Sequence, residues 1–391
     1  MFMAYTEVET KGWLQRMSES FGGIIVGFVL IAAATWLLWW NEEDTFKTAG
    51  AIGEAELVTQ DVQDISRADP ALEGKVIHAT GRADTQEVLK DSLFGVEAQA
   101  ISLRRSAEFY QWQEHAQKET RKKLGGGEET VTTYTYSREW VSSPINSGNF
   151  RDPDYKNANT VLANVEDSTL WANTVTFGAY TLPDFLKHSI GGAVPLTVEN
   201  ANVQAAGLLG NSGYNTENMV HKSGSTVYLG MNPNNPEVGD VRVTFEQTPP
   251  AEVSLIAQVK GNTFEKFKAS NGYTFSRLAM GDVGSSEMFS SARSDNKLFA
   301  WIFRIIGIIC VIAGLRMIFK PLSVIADVIP ILGTIVEGGA GIVAFLLGLA
   351  WSLVVIAVAW VRFRPLWAGG LIAAAVLLLG MSYMKGKKAS A

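Results

Sequence analysis

The fold is decided by residues 21–40, FGGIIVGFVLIAAATWLLWW, which contain no charged side chain. A helix needs roughly 20 apolar residues to cross ~30 Å of hydrocarbon. The stretch ends in Trp36, Trp39 and Trp40, and tryptophan is enriched where a helix meets the membrane–water interface. A cleaved signal peptide is the competing interpretation, but its apolar part would be shorter and would end in small residues. We therefore expect an uncleaved membrane helix.

Three more apolar segments follow near the C-terminus. Residues 298–319 are apolar apart from Arg304 and Arg316, and residues 338–361 and 367–384 carry no charge. Each is about long enough to cross a bilayer as a helix. The sequence therefore predicts an integral membrane protein with four transmembrane helices.

Charge predicts how the chain is oriented in the membrane, because Lys and Arg near helix ends mark the cytoplasmic side. We expect the N-terminal segment 1–20 and the basic tail 385–391 to be cytoplasmic. The acidic region 41–297 is then periplasmic in a bacterial inner membrane, or lumenal in the endoplasmic reticulum or nuclear envelope. The basic residues that support this orientation are Lys11, Arg16, Arg316 and Lys320 with those of the tail, whereas Arg362 and Arg364 fall on the opposite side.

Residues 41–297 have short apolar runs broken by Gly, Pro, Asn and Asp, which is typical of strands and turns. Alternating aromatic residues on both sides of a Gly-rich turn at 125–127 predict a long hairpin, although a helix over residues 103–124 is the competing interpretation. The sequence thus predicts a large β-rich α+β extramembrane domain inserted between helices 1 and 2. Other predicted strands are residues 75–80, 174–180, 225–229, 240–246, 253–259 and 263–269, with a short helix within residues 182–190.

No catalytic or metal-binding motif stands out in the chain. The four histidines lack metal-ligand spacing, and we interpret His78 as a partly buried structural residue. The glycines at 125–127 lack the Lys-Ser or Lys-Thr that completes a phosphate-binding loop. We therefore expect no catalytic residue, no metal and no cofactor, and the protein is not expected to be an enzyme. An acidic extramembrane domain also argues against nucleic acid as a partner.

Basic residues cluster near the tip of the predicted hairpin. They are Lys118, Arg121, Lys122 and Lys123, and they are interleaved with Glu119, Glu128 and Glu129. The acidic residues largely cancel the positive field. We therefore favour a solvated loop over a site where an anion or a partner docks.

Small side chains recur at helical spacing in the first three apolar segments. Membrane helices associate through close packing at such residues, because lipid tails are as apolar as Leu. The sequence therefore predicts a tight bundle, within one chain or between chains. The packing residues are Gly23 and Gly27 in the first segment, Gly307 and Gly314 in the second, and Ala344, Gly348 and Ser352 in the third.

Residues 320–337 are too apolar for an ordinary soluble loop, so we predict an interfacial or re-entrant loop. Ionisable groups at membrane depth are candidates for function. The candidate polar cluster consists of Arg304, Arg316, Asp327 and Glu337. Alternatively, the two arginines extend to opposite interfaces while both carboxylates face water.

A series of short motifs occurs in a recognisable order along the chain. They are WNEE (residues 40–43), VIHATG (76–81), RSAEFYQW (105–112), GDVRVTF (239–245), EMF (287–289) and the stretch 321–339. In this order the chain resembles the LUMA family, multi-pass proteins of the endoplasmic reticulum and inner nuclear membrane with bacterial relatives. The long Gly-rich hairpin tip departs from the family pattern.

The resemblance implies a non-enzymatic role in membrane organisation and in scaffolding partner membrane proteins, with self-association. The expected partners are the lipid bilayer, further copies of the chain and an unidentified membrane protein. A channel or lipid-handling protein that uses the polar cluster is the alternative. In that case neutralising the four polar residues would abolish flux or lipid transfer and leave assembly intact.

Overall fold

The computed structural model of the protein describes residues 5–157, 165–199, 216–361, 369–370, 373–374, 376–378 and 380–381. Its helices are α1 (Trp13–Val58), the short α2 (Asp184–Lys187), α3 (Ser285–Ala326) and α4 (Pro330–Val361). Among the described residues, α1, α3 and α4 are long and apolar enough to cross a membrane. The fourth predicted helix, residues 367–384, lies largely outside the described residues.

Helix α1 extends well beyond the predicted membrane segment of residues 21–40. Its 46 residues correspond to about 69 Å at 1.5 Å per residue. Beyond residue 40 it carries an apolar stripe, Ala51, Ile52 and Ala55, which is buried. Because this stripe packs on the β-rich domain, the helix runs from the apolar segment into the domain without a break.

The connection between α3 and α4 differs from the predicted loop of residues 320–337. Helix α3 continues to Ala326 with Pro321 inside it, and α4 begins at Pro330, so only residues 327–329 join the two helices. Proline suits the first turn of a helix, where the backbone N–H groups have no helical partner. Pro330 therefore begins α4, whereas Pro321 lies inside α3.

The strands confirm a large β-rich domain built mainly from two sheets. The first sheet has the order β1 (Tyr5–Lys11), β7 (Glu128–Val141), β6 (Ser102–Lys122), β14 (Val241–Thr248), β13 (Thr226–Leu229) and β12 (Val220–Ser223), with β8 (Ser168–Trp171) on β6 and β11 (Val194–Pro195) on β14. The second has the order β10 (Tyr180–Thr181), β9 (Thr176–Phe177), β3 (Val76–Asp84), β15 (Ala251–Lys260) and β16 (Thr263–Glu265), with β19 (Arg277–Met280) on β15 and β2 (Gln60–Asp61) on β3. Two small ribbons pair β4 (Val88–Asp91) with β5 (Val96–Gln99), and β17 (Phe267–Lys268) with β18 (Thr274–Phe275).

The two sheets share one apolar core. Ile77 and Leu255 of the second sheet and Phe109 and Phe245 of the first are almost completely buried in it. Phe94 meets Phe245 edge-to-face at 5.4 Å between ring centroids. Since burial of apolar surface is the main force that stabilises a fold, this core holds the domain together without a disulfide.

A second apolar cluster attaches the domain to the helices. Ile52 from the end of α1 and Phe289 from the start of α3 pack on Val76 and Ile256 of the second sheet. Phe275 stacks on Phe289 with centroids 5.5 Å apart. The domain is therefore fixed at the end of the bundle where α1 ends and α3 begins.

The predicted small residues allow α1, α3 and α4 to approach closely within one chain. A Cβ on Gly27 would lie 2.6 Å from the carbonyl oxygen of Gly314, and a Cβ on Gly23 would keep 3.9 Å from that of Met317. The close contact at Gly27 is therefore possible only without a side chain. In the same way Gly307 packs against Leu38, Gly348 packs against Ile312, and Ala344 and Ser352 are completely buried.

The predicted hairpin is confirmed as β6 and β7, paired from Phe109 with Val141 to Lys122 with Glu128. The predicted aromatic pairing is present, with Tyr110 and Trp140 at 5.2 Å between centroids. An unpredicted strand, β1, pairs with β7 from Tyr5 with Tyr134 to Lys11 with Glu128. The hairpin and the N-terminus thus form a three-stranded ribbon.

The tip of this ribbon lies at the end of the bundle remote from the domain core. The backbone N–H of Gly125 donates to the carbonyl of Val328, in the α3–α4 connection, at 3.2 Å. The indole of Trp13, the first residue of α1, packs on Gly126. Residues 41–297 therefore contact both ends of the bundle, although the sequence predicted a domain at one end only.

The contrast between Gly27 and Gly23 gives the first prediction. Gly27→Ala forces α1 away from α3 and lowers the free energy of unfolding by about 1–3 kcal/mol, as overpacking does. Gly23→Ala, with room for its methyl group, leaves stability unchanged or raises it by up to about 1 kcal/mol through helix propensity. Thermal unfolding of both variants in the same detergent measures the difference. Equal stabilities would contradict the packing of α1 on α3.

Candidate functional site

Polar residues gather at both ends of the otherwise apolar bundle. We call the group Asn41, Glu42, Trp301, Arg304 and Trp360 the domain-end junction. We call the group Arg16, Lys122, Glu128, Asp327 and Glu337 the tip junction. Arg16 and Asn41 are separated along α1 by about 38 Å at 1.5 Å per residue, which slightly exceeds the ~30 Å hydrocarbon thickness of a bilayer.

The domain-end junction is a buried ion pair enclosed by indole rings. Arg304 donates from Nε and Nη2 to the two carboxylate oxygens of Glu42 at 2.5 and 2.8 Å. Its guanidinium lies 5.1 and 5.2 Å from the ring centroids of Trp301 and Trp360, and the Trp360 indole N–H also donates to Glu42. Arginine suits such a site because it binds a carboxylate with two bonds and stacks on aromatic faces. The junction links α1, α3 and α4.

The tip junction centres on Asp327, whose side chain is 1% exposed. Its Oδ2 accepts from Arg16 Nη2 at 2.6 Å, and its Oδ1 accepts from Lys122 Nζ at 2.8 Å. Gly333 makes room for this carboxylate, because a Cβ there would lie 1.6 Å from Asp327 Oδ1. A buried carboxylate is stable only with such partners.

Each cation of the tip junction also binds a second acceptor. Arg16 contacts Glu128 Oε2 from Nε at 3.0 Å and donates to the carbonyl of Gly126 at 2.6 Å. Lys122 contacts Glu337 Oε2 at 2.7 Å. The start of α1, the hairpin tip, the α3–α4 connection and the start of α4 are therefore held by one charged network.

The network also determines the ionisation of Lys122. Burial lowers the pKa of this ammonium group, but hydrogen bonds from it to Asp327 and Glu337, together with their negative charges, outweigh the burial, so its pKa is raised above the usual range. The contribution of Lys122 is thus complete at neutral pH and is lost only as the pH rises through the raised value.

The structure divides the predicted polar cluster between the two junctions. Asp327 and Glu337 belong to the tip junction, and Arg316 lines a cavity of about 430 Å³ beside them. Arg304 belongs to the domain-end junction, about 35 Å away from Asp327 along α3. The four residues therefore do not form one site, because 22 helical residues lie between Arg304 and Asp327.

Several residues of the junctions were not predicted from sequence. Lys122 was assigned to a solvated loop, and that assignment is wrong because its partners Asp327 and Glu337 lie far along the chain. Arg16, which indicated orientation in the sequence, is the buried partner of Asp327. Glu42, within the WNEE motif, is the partner of Arg304. The available signal was that both charges flank the apolar segment 21–40, Arg16 before it and Glu42 after it.

His78 occupies the structural position expected of it. Its ring nitrogens lie 2.7 Å from Asp61 Oδ1 and 2.9 Å from the carbonyl oxygen of Val283. Over the described ranges, no group of His, Cys, Asp and Glu has the arrangement of a metal site. The two junctions pair charged groups with one another. These ion pairs fasten α1, the hairpin tip, α3 and the α3–α4 connection together.

These features define a class: an integral membrane protein whose β-rich domain is fastened to an apolar helix bundle. The family model described as Transmembrane protein 43 matches residues 109–365. The chain belongs to this family, which confirms the resemblance to LUMA proteins.

Relatives cover nearly the full length of the chain. It is 28% identical over 390 residues to Transmembrane protein 43 of Rattus norvegicus, covering 96% of this chain and 94% of that protein. It is 29% identical over 369 residues to the Homo sapiens protein, covering 91% and 88%. A Drosophila melanogaster homolog is 25% identical over 369 residues, covering 92% of each. No solved structure matches the chain.

The tip junction gives the second prediction. Asp327→Asn leaves Arg16 and Lys122 without their shared counter-charge, so the hairpin tip detaches more often. Trypsin cleavage after Lys122 or Lys123 then becomes at least about tenfold faster, which corresponds to about 1.4 kcal/mol. Glu337→Gln is the matched control. That carboxylate is 60% exposed and pairs with Lys122 but not with Arg16, so its loss should affect cleavage less. Equal cleavage rates for Asp327→Asn and the unaltered protein would show that the junction does not hold the tip.

Proposed function

We propose that this protein is a multi-pass membrane scaffold that self-associates and organises membrane protein complexes or membrane structure, without enzymatic activity. The observation that carries the proposal is the fastening of one domain to both ends of a helix bundle. A rigid body of this kind presents surfaces at fixed positions across the thickness of a membrane. Positioning partners relative to the bilayer and to one another is what a scaffold does.

Rigidity is supported by continuous helices and by buried charge. Helices α1 and α3 pass from the bundle into the domain without a break, and the cluster around Ile52 and Phe289 joins them to the second sheet. The pair of Glu42 and Arg304 locks the bundle near the domain. Breaking a buried ion pair by removing one partner costs about 3–5 kcal/mol, so the junctions resist bending.

The outer surface of the bundle supports lipid and other membrane helices as partners. Phe28 is 61% exposed, Trp301 60% and Phe345 50%. Large apolar side chains left on a helix surface are stable in hydrocarbon and costly in water. Such a surface accommodates lipid tails, an unidentified membrane protein or another copy of the chain.

We further propose that both termini are cytoplasmic and that the domain core is periplasmic or lumenal. The tip junction contains Arg16, and the neighbouring cavity is lined by Arg316 and Lys320. These cations support a cytoplasmic location for this end of the bundle through the positive-inside rule. The acidic character of residues 41–297 supports the opposite side for the domain core.

A second candidate function is lipid handling, or a channel, and the cavity beside the tip junction favours it. Arg316, Lys320 and the apolar Met317 and Phe319 line the cavity together with the residues of the tip junction, whose carboxylates Glu128, Asp327 and Glu337 are paired with Arg16 and Lys122. A cation next to apolar walls suits an anionic headgroup and its acyl chain. Unlike a scaffold, this function requires no self-association.

Native mass spectrometry of the protein released directly from its own membranes separates the two candidates, and this is the third prediction. The scaffold proposal predicts a defined oligomer, with or without a second protein, because exposed helix surfaces and open strand edges need partners. A monomer that retains a stoichiometric lipid would contradict self-association and favour lipid handling. A bare monomer would contradict both proposals.

A further inference from the structure

The β6–β7 hairpin passes the whole apolar length of the bundle, and β1 joins it as a third strand over the half nearest the tip. From Phe109, in the domain core, to Lys122, at the tip, it extends about 44 Å at 3.4 Å per residue. From Arg16 to Asn41, the apolar segment of α1 extends about 38 Å. Because the ribbon begins at the domain and ends at the tip junction, it lies at the same depth as the apolar helices.

The ribbon is nevertheless polar on both faces. Residues 5–10 of β1, YTEVET, are all exposed, as are residues 115–121 of β6, HAQKETR. Charged groups cost several kcal/mol or more to place in hydrocarbon. Lipid is therefore not the neighbour of this ribbon, and something polar must cover it at that depth.

The two edges of the ribbon are open as well. Near the domain the outer edge of β6 is paired, since Tyr110 accepts from Gly239 and Trp112 bonds to the side chain of Asn157. Beyond Trp112, in the part of the chain that the structure describes, this edge has no backbone partner, and the outer edge of β1 has none either. Open sheet edges do not occur in contact with hydrocarbon, because each unpaired N–H and C=O group costs several kcal/mol.

We propose that β1 of one copy pairs with the outer edge of β6 of the next copy, head to tail, so that the ribbons close into a continuous polar wall inside a ring of apolar helices. This interface rests on the self-association proposed above and specifies where it occurs. Closure pairs every edge, as in a β-barrel. A head-to-tail contact also generates a ring when its rotation closes.

A second copy fits this edge because the chain carries both halves of the contact. The open edge of β6 beyond Trp112 runs to Lys122 and is long enough to receive the seven residues of β1. Residues 5–10 of β1 carry Glu7 and Glu9 and no cation, whereas the exposed stretch of β6 carries Lys118 and Arg121 against Glu119. Opposite charges on neighbouring strands stabilise pairing, and like charges oppose it.

The direction and the face of the contact follow from the registers within one chain. Both β1 and β6 run antiparallel to β7, so the seam between copies is parallel. Glu7 and Lys118 both pair with Thr132, which places them on the same face of the ribbon. Val8 points to the opposite face because side chains alternate along a strand.

Cysteine cross-linking tests this interface, and this is the fourth prediction. In the background Cys310→Ala, which removes the only cysteine, one tagged chain carries Glu7→Cys and a differently tagged chain carries Ala116→Cys, Lys118→Cys or Thr120→Cys. These β6 positions lie on the face of Glu7 and allow for stagger between copies. The substituted side chains on β1 and β6 are exposed. Cys310→Ala removes only one small side chain, which is partly exposed. Folding is therefore expected to be retained.

Oxidation of native membranes that contain both chains is expected to give a mixed disulfide for at least one β6 position. Within one chain β7 lies between β1 and β6. The backbones of β1 and β6 are therefore about 9.6 Å apart, which is too far for a disulfide. Val8→Cys with Lys118→Cys is the matched control. Its yield should be at least about tenfold lower, because the two Cβ atoms point to opposite faces.

The remaining outcomes overturn the interface, and the oligomeric state shows whether self-association survives. A defined oligomer in native mass spectrometry without any mixed disulfide would exclude this seam and leave the scaffold proposal standing. Preferred Glu7→Cys homodisulfides would show a symmetric contact between two β1 strands. A disulfide to a different protein would assign the edge to a partner strand. A monomer would overturn both the seam and the proposed self-association.

Discussion

The buried carboxylate of Asp327 is the interaction on which the arrangement of the ribbon depends. It receives Arg16 from the start of α1 and Lys122 from the hairpin tip, and Gly333 leaves the space that it occupies. An unpaired carboxylate in such a site would cost folding free energy. The fold is therefore stable only when Arg16 and Lys122 both contact Asp327. That requirement brings together segments that are far apart in the sequence.

The two junctions also explain how a polar ribbon and an apolar bundle coexist in one body. Glu42 with Arg304 marks one end of the apolar stretch and Asp327 with its cations marks the other. Between these ends the helices present large apolar side chains such as Phe28 and Trp301. Apart from Arg316, which lies between the two junctions along α3, the charges named here lie at the two ends of the bundle or on the ribbon. This division assigns the helices to lipid and the ribbon to a polar neighbour.

Local patterns were sufficient to predict three apolar helices and the hairpin. Twenty residues without charge indicate a helix in lipid, and aromatic residues at alternate positions indicate paired strands. The strand β1 was missed because YTEVETK has no apolar face, and it is a strand only because β7 pairs with it. The role of Lys122 was missed for a related reason, since Asp327 lies 205 residues away. The pairing of distant charges is set by tertiary structure and leaves no local pattern.

The predicted polar cluster is divided in the structure because helix geometry keeps its members apart. Arg304 and Asp327 belong to one continuous helix and its cap, and a rise of 1.5 Å per residue separates them by about 35 Å. The predicted loop at residues 320–337 would have allowed the chain to fold back. Because α3 continues through Pro321, that return does not occur, and each charge finds its partner on α1 instead: Glu42 for Arg304 and Arg16 for Asp327.

Because the hairpin tip and the domain core lie at opposite ends of the bundle, sided cysteine labelling should distinguish them. Leu124, at the tip, is 87% exposed, and Met231, in the domain, is 63% exposed. Each is replaced by Cys in the Cys310→Ala background and treated with a membrane-impermeant thiol reagent in sealed, oriented vesicles. Leu124→Cys and Met231→Cys are expected to react from opposite sides of the membrane. Reaction of both from the same side would contradict this arrangement.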